Sequence, residues 1–317
     1  MNSSNFIKVI GIGRGGAIMV NHMYNMGIYG VDFAVCHTDE QSFNGVDVPE
    51  KVGFGHGLNS RWDIDKVKNE FENNAGKFEN LLTDNTQMVF IVAGMGGYTG
   101  SGVAPLLAKM AKSKGILTVG IATTPFLFEG LTRLLQSFDA VEEMYKNTDA
   151  LIVIKNERLK TLFPDSFMDE SFIKANEIVY MTVKSIAEII MQKGVINRDF
   201  QDLKYLFHKS GMALVCYGFG RGENRIDMAF REALDSPLLK DKNIYETKKI
   251  LLYLSFKPEL HIQIEELQQP LVAFIDRFEK HINLTWGFGN DSSLEEGQEV
   301  KCTIITTGFE FNEILDT

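Results

Sequence analysis

The sequence predicts an α/β fold: a parallel sheet wrapped by helices, a long central helix, and a second α+β domain built on a mixed sheet. Two observations carry this expectation. Through the first half, short and nearly continuous apolar runs alternate with stretches of helical period, the pattern of strands buried on both faces and joined by crossover helices. Past about residue 194 the pattern changes, and the last strand alternates Val300, Cys302 and Ile304 against Lys301 and Thr303. That alternation suggests a sheet covered on one face. At 317 residues the chain suits two domains of ordinary size. The expected division is 1–168, a connecting helix over 169–193, and 194–317.

Taken in order, residues 6–12 read as a buried strand, followed at once by Gly11-Ile12-Gly13-Arg14-Gly15-Gly16 and a helix that stops near Gly27. Residues 32–36 are a second strand, ending at His37-Thr38-Asp39. Residues 41–61 are loop-like, and 63–82 read as one exposed amphipathic helix of mixed charge. The run 88–93 is a strand, after which Gly94, Gly96, Gly97, Gly100 and Gly102 crowd into nine residues. A helix over 103–111 follows, with Pro105 allowed in its first turn. Strands at 116–122 and 150–154 flank a helix over 130–145. Residues 172–193 form a long helix that is apolar nearly all round. Strands at 213–217, 250–256 and 300–305 and helices at 225–234 and 264–281 complete the second domain.

Composition narrows the function. Apolar residues make up 44% of the chain, enough for large cores, and no run approaches the roughly 18 apolar residues of a membrane helix. Neither a signal peptide nor direct membrane insertion is expected. Cys36, Cys216 and Cys302 are too scattered for a disulfide framework or a zinc site, which suggests a reducing, cytoplasmic setting and no resident protein-bound metal. A net charge of −10 without a dense basic patch argues against nucleic acid as a partner.

The two glycine clusters carry the chemistry. A strand, a glycine-rich turn and a helix N-terminus together bring backbone N–H groups and a positive dipole end to one anion. Gly11, Gly13 and Gly16 fit G-x-G-x-x-G, and Asp39 stands about where a ribose hydroxyl would be met, so the first fifty residues alone allow an NAD-binding unit. A second anion-binding turn, with Thr99 and Ser101 adding hydroxyls, suits a nucleoside di- or triphosphate better. Arg14, His37, Asp39, Thr99, Pro125 and Asn156 all fall at carboxyl ends of strands, where such sheets bind ligands. Beyond the long helix, Asp199 and Asp202 stand three apart at a helix start. On local grounds a helix cap with a first-turn acid fits them better; the functional alternative is a pair that polarises water or touches a cation. Sequence mechanics leave both open.

Taken together, these residues resemble the FtsZ family of tubulin-like division GTPases over nearly the whole chain. Gly96-Gly97-Tyr98-Thr99-Gly100-Ser101-Gly102 is close to that family's GGGTG[ST]G signature. Other matching blocks are Pro125-Phe126-Leu127-Phe128-Glu129-Gly130 with Arg133, Ile154-Lys155-Asn156-Glu157-Arg158-Leu159, Asn197-x-Asp199-x-x-Asp202, Ser236-Pro237-Leu238-Leu239, Trp286-Gly287 and Thr307-Gly308-Phe309. The resemblance displaces the NAD reading. It implies a tubulin/FtsZ-like fold that binds GTP or GDP, with Mg2+ accompanying GTP. Gly13, Gly15, Gly16, Gly96, Gly97, Thr99 and Gly100 would cradle phosphates. Glu129 and Arg133 would hold the ribose and phosphate side, Asn156 the nucleoside end, and Asn176 the guanine. Asn197, Asp199 and Asp202 would act on the nucleotide of the next subunit, so hydrolysis would require head-to-tail self-assembly. Other FtsZ-type subunits or division proteins are further partners the resemblance allows.

Several positions depart from the family. Tyr98 replaces a signature glycine, and a positive φ there would cost about 1–3 kcal/mol. Arg14 replaces a glycine, Ile18 an asparagine, His37 the asparagine of N-T-D, and Asn176 the aspartate that reads guanine; the loop around residues 53–60 is short. Two readings therefore stay open: an assembling GTPase, and a divergent paralogue that modulates filaments with weak or absent hydrolysis.

Overall fold

The computed structural model describes residues 5–55, 63–164, 167–191, 194–196, 199–236, 247–278 and 282–309. Two compact units are present, Met1–Ala187 and Glu188–Thr317.

The first unit runs β1 (Ile7–Ile12), α1 (Gly13–Met26), β2 (Val31–His37), β3 (Glu50–Gly53), α2 (Ile64–Asn73), α3 (Ala75–Leu81), β4 (Met88–Gly94), α4 (Tyr98–Ser113), β5 (Leu117–Thr124), α5 (Leu131–Asn147), β6 (Ala150–Lys155) and α6 (Asn156–Leu162). Its strands lie in the order β3-β2-β1-β4-β5-β6, every pair parallel. Each residue of β1 and β5 is buried, so the continuous apolar runs report a sheet covered on both faces. Chain order reverses between β1 and β4, and the glycine clusters follow those two strands.

Several elements differ from expectation. Within the stretch read as loop, β3 pairs Glu50 with Ala34; four residues on a half-exposed edge give no readable period. The single helix over 63–82 is two, broken at Asn74, whose amide donates to the carbonyls of Glu70 (2.9 Å) and Phe54 (3.1 Å). Helix α4 begins five residues earlier than its apolar period suggested, so Pro105 sits in the helix interior rather than in its first turn. The period failed there because the first turn is made of glycine and hydroxyl residues. Helix α6 follows β6 directly and was not anticipated.

The long helix α7 (Met168–Met191) contains the division between the units. Ala175, Val179, Val183 and Ile186 are buried, whereas Phe172 and Ile173 are exposed, so its apolar surface is not all core.

The second unit holds β7 (Gly194–Ile196), α8 (Phe200–Phe207), β8 (Gly211–Gly220), α9 (Arg225–Leu234), β9 (Lys249–Phe256), α10 (Ile264–Ile275), β10 (Asn283–Asn290) and β11 (Val300–Phe309). The strand order is β8-β11-β9-β10-β7, with β11 antiparallel to both neighbours and β9 parallel to β10: a mixed sheet, as expected. The alternation in β11 does not mark a solvent face. Thr303 is buried, and Lys301, 2% exposed, spends its charge on Glu188 at 2.9 Å. A buried lysine with a carboxylate partner reads as polar in sequence and as core in structure.

Candidate functional site

At the carboxyl ends of β1 and β4, where strand order reverses, a cavity of about 470 Å3 opens. Open parallel sheets bind ligands at this switch point, and the volume suits a small-molecule site. Gly13, in the left-handed region at φ +73°, turns the chain from β1 into α1. The two glycine loops abut: a Cβ on Gly13 would lie 3.1 Å from the Gly100 nitrogen. Neither α1 nor α4 has a side-chain N-cap. First-turn N–H groups of both helices are thus left to a ligand or solvent.

Gly13, Gly15, Gly97, Thr99, Gly100, Glu129, Arg133, Asn156 and Asn176 line this cavity. Gly16 and Gly96, grouped with them from sequence, do not line it but shape its wall. A Cβ on Gly16 would stand 2.5 Å from the Val92 carbonyl oxygen, so glycine lets α1 seat against β4. Gly96 has φ +89° and donates its N–H to Ser101 Oγ (2.9 Å). Asp39 also lies off the cavity wall; it caps the short turn Glu40–Phe43 by accepting from the Gln41 N–H. Thr38, Thr123 and Thr124 line the cavity and were not singled out, although their place at strand ends could have marked them. Thr38 and Thr99 share a hydroxyl contact of 3.2 Å.

The polar groups divide by their position along the sheet edge. Toward β5 and β6, Glu129 accepts from the Phe126 N–H (2.9 Å) and from Arg133 (3.0 Å). Nearby Asn156 is 7% exposed, and its Oδ1 has no hydrogen-bond partner among the described residues. A buried unpaired acceptor is costly and fits a missing donor. Toward β2, His37 accepts the Asp39 N–H on Nδ1 (2.9 Å), which leaves Nε2 to carry the proton of a neutral ring. Burial, more than any other influence, holds this imidazole below its usual pKa, assisted by the Arg14 charge and opposed by Asp39.

Residues 6–164 match the Tubulin/FtsZ family, GTPase domain, and residues 211–310 match the FtsZ family, C-terminal domain. A cell division protein FtsZ from Porphyromonas gingivalis is 37% identical over 311 residues, covering 96% of this chain and 67% of that protein. The chain belongs to the FtsZ family. Another cell division protein FtsZ, from Wigglesworthia glossinidia brevipalpis, is 34% identical over 97% of this chain and 80% of its own length. Among solved structures, an empty FtsZ dimer from M. jannaschii superposes with a TM-score of 0.85 at 29% identity, covering 97% of this chain and 89% of that one.

Within the FtsZ family this chain departs at Tyr98 without backbone strain. Tyr98 is the first residue of α4, and Lys209 is the one non-glycine residue with positive φ among those described. The expected backbone cost at Tyr98 is therefore absent; the left-handed residue of the loop is Gly96. Tyr98 and Ile18 are each 49% exposed on the cavity wall. Of the three residues the resemblance assigns to the neighbouring nucleotide, Asn197 lies outside the described residues. Asp199 Oδ1 accepts from the N–H groups of Gln201 (2.8 Å) and Asp202 (3.1 Å), and Asp202 Oδ2 accepts from the Asp199 N–H (3.2 Å). The pair is thus a reciprocal cap at the start of α8. Among the described residues no helix is long and apolar enough to cross a membrane.

Proposed function

We propose that this chain binds GTP in the cavity between its glycine loops and hydrolyses it in a head-to-tail filament, in the service of cell division. The observation that carries the reading is the cavity itself: two uncapped helix N-termini converge on it, and Asn156 offers an unpartnered acceptor at the far end. Backbone N–H groups of α1 and α4 would hold the phosphates, and Asn156 and Asn176 the nucleoside. Guanine offers donors that an amide oxygen can accept from. Among the described residues no group of three or more His, Cys, Asp or Glu side chains is placed to hold a metal. Mg2+ would then arrive with the triphosphate, its remaining ligands being water, and would neutralise phosphate charge there.

Assembly is supported by the rim. Leu127, Phe128, Leu131, Leu135 and Ile173 are all more than half exposed beside the cavity-lining residues Glu129, Arg133 and Phe172. An apolar rim at the mouth of a polar site fits a face that another protein covers. Asp199, Asp202 and Asn197 would reach the neighbour's nucleotide and orient the attacking water, which makes turnover depend on contact. The reciprocal cap favours a second reading, in which the acids serve only α8 and the chain modulates filaments without hydrolysis. Identification of the co-purifying nucleotide, with sedimentation in GTP, GDP and no nucleotide, tests the proposal. Guanine nucleotide and GTP-dependent pelleting are expected; a nucleotide-free protein indifferent to GTP would refute it.

A further inference from the structure

Arg14 is the departure from the family that the site has not yet absorbed. It is the second residue of α1, exposed, and on the cavity wall between Gly13 and Gly15. Of the two arginines on that wall, Arg133 is engaged by Glu129 at 3.0 Å. Arg14 makes no ion pair with a carboxylate among the described residues. The polar groups suited to a nucleoside stand at β5 and β6 and the glycine loops at β1 and β4; Arg14 projects from the first of these loops, and its charge acts on His37 at the end of β2. Four strand spacings separate β2 from β6, roughly 19 Å, about the length of an extended nucleoside triphosphate. A ligand lying along this edge with its base toward β6 therefore brings its last phosphate to Arg14.

We propose that Arg14 reads the terminal phosphate, making the site prefer a nucleoside triphosphate to a diphosphate through the chain's own cation. This rests on the nucleotide reading given above. A guanidinium offers paired donors to phosphate oxygens, and the bond is charge-assisted. His37, held neutral, supplies no competing positive charge at that end. A diphosphate held by the backbone loops would lack the last phosphate group, the one the extended guanidinium would meet. Partial exposure and salt limit the gain to about ten- to a hundredfold in affinity.

The test is equilibrium binding of GDP and of a slowly hydrolysed GTP analogue, below the assembly concentration, to the wild-type protein, Arg14→Gln and Arg14→Lys. Both replacements are good helix formers, and thermal melting verifies that they fold. Arg14→Gln is expected to weaken the triphosphate about ten- to a hundredfold and GDP less than about threefold, with Arg14→Lys recovering part of the loss. Equal weakening of both nucleotides, or none, would overturn the assignment while leaving the nucleotide site standing. A wild-type protein that binds neither nucleotide would remove the site and Arg14's role together.

Discussion

Asp199 separates capping from catalysis, because asparagine and alanine replace different parts of it. The Asp199 carboxylate accepts two backbone N–H groups at 2.8 and 3.1 Å. Alanine removes the one oxygen that accepts both bonds, and a lost N-cap costs about 1 kcal/mol, lowering the melting temperature by roughly 2–4 °C. Asparagine ranks beside aspartate as an N-cap, so Asp199→Asn should melt within about 1 °C of the wild type. It loses the negative charge, however, and a positioned acid or base contributes about a hundredfold or more to turnover. The expected result is a dissociation of stability from activity: Asp199→Asn folds like the wild type, binds GTP with unchanged affinity, and hydrolyses it at least about a hundredfold more slowly. Phosphate release under assembling conditions, beside thermal melting and a nucleotide titration, reads all three. Near-normal turnover in Asp199→Asn, with a loss in Asp199→Ala that follows its stability, would refute the catalytic role and leave only the cap.

Tyr98→Gly should not raise GTP affinity by more than about threefold, because the tyrosine backbone is already helical; it should instead cost about 0.5–1 kcal/mol in the first turn of α4, measured by denaturant unfolding beside nucleotide titration. Gly16→Ala drives a Cβ to 2.5 Å from the Val92 carbonyl oxygen, so about 1–3 kcal/mol of stability should be lost as α1 shifts from the sheet, again by denaturant unfolding. For His37, burial lowers the folded-state pKa below the ordinary 6.5. Above that value both states are neutral; below it the unfolded chain takes up the proton first, so stability falls with falling pH. His37→Asn should flatten the loss between about pH 6.5 and 5.5, and urea unfolding at the two values checks it.

The parts of the fold that were legible are those where packing and period coincide. The buried strands β1, β4 and β5 read as apolar runs, and α9 fell on the predicted residues. Two strands did not read: the edge strand β3 has only four residues, and in β10, paired on both sides, glycines at 287 and 289 interrupt any alternation. Helix α4 hid its first turn because glycine and threonine there serve the loop rather than the core. At the site, backbone turns were legible from glycine spacing, since few other residues allow a φ of +73° or +89°. Which glycines face the ligand and which permit packing was not legible. That depends on whether a missing Cβ points at space or, as at Gly16, at a neighbouring carbonyl oxygen. Thr38, Thr123 and Thr124 carry no pattern beyond their place at strand ends.

The central claim is that one subunit completes the site of the next, and the most direct measurement is GTP turnover per molecule as a function of protein concentration. The account predicts almost no hydrolysis at high dilution and a specific rate that climbs to a plateau as filaments form. A specific rate that stays constant across that range would contradict it.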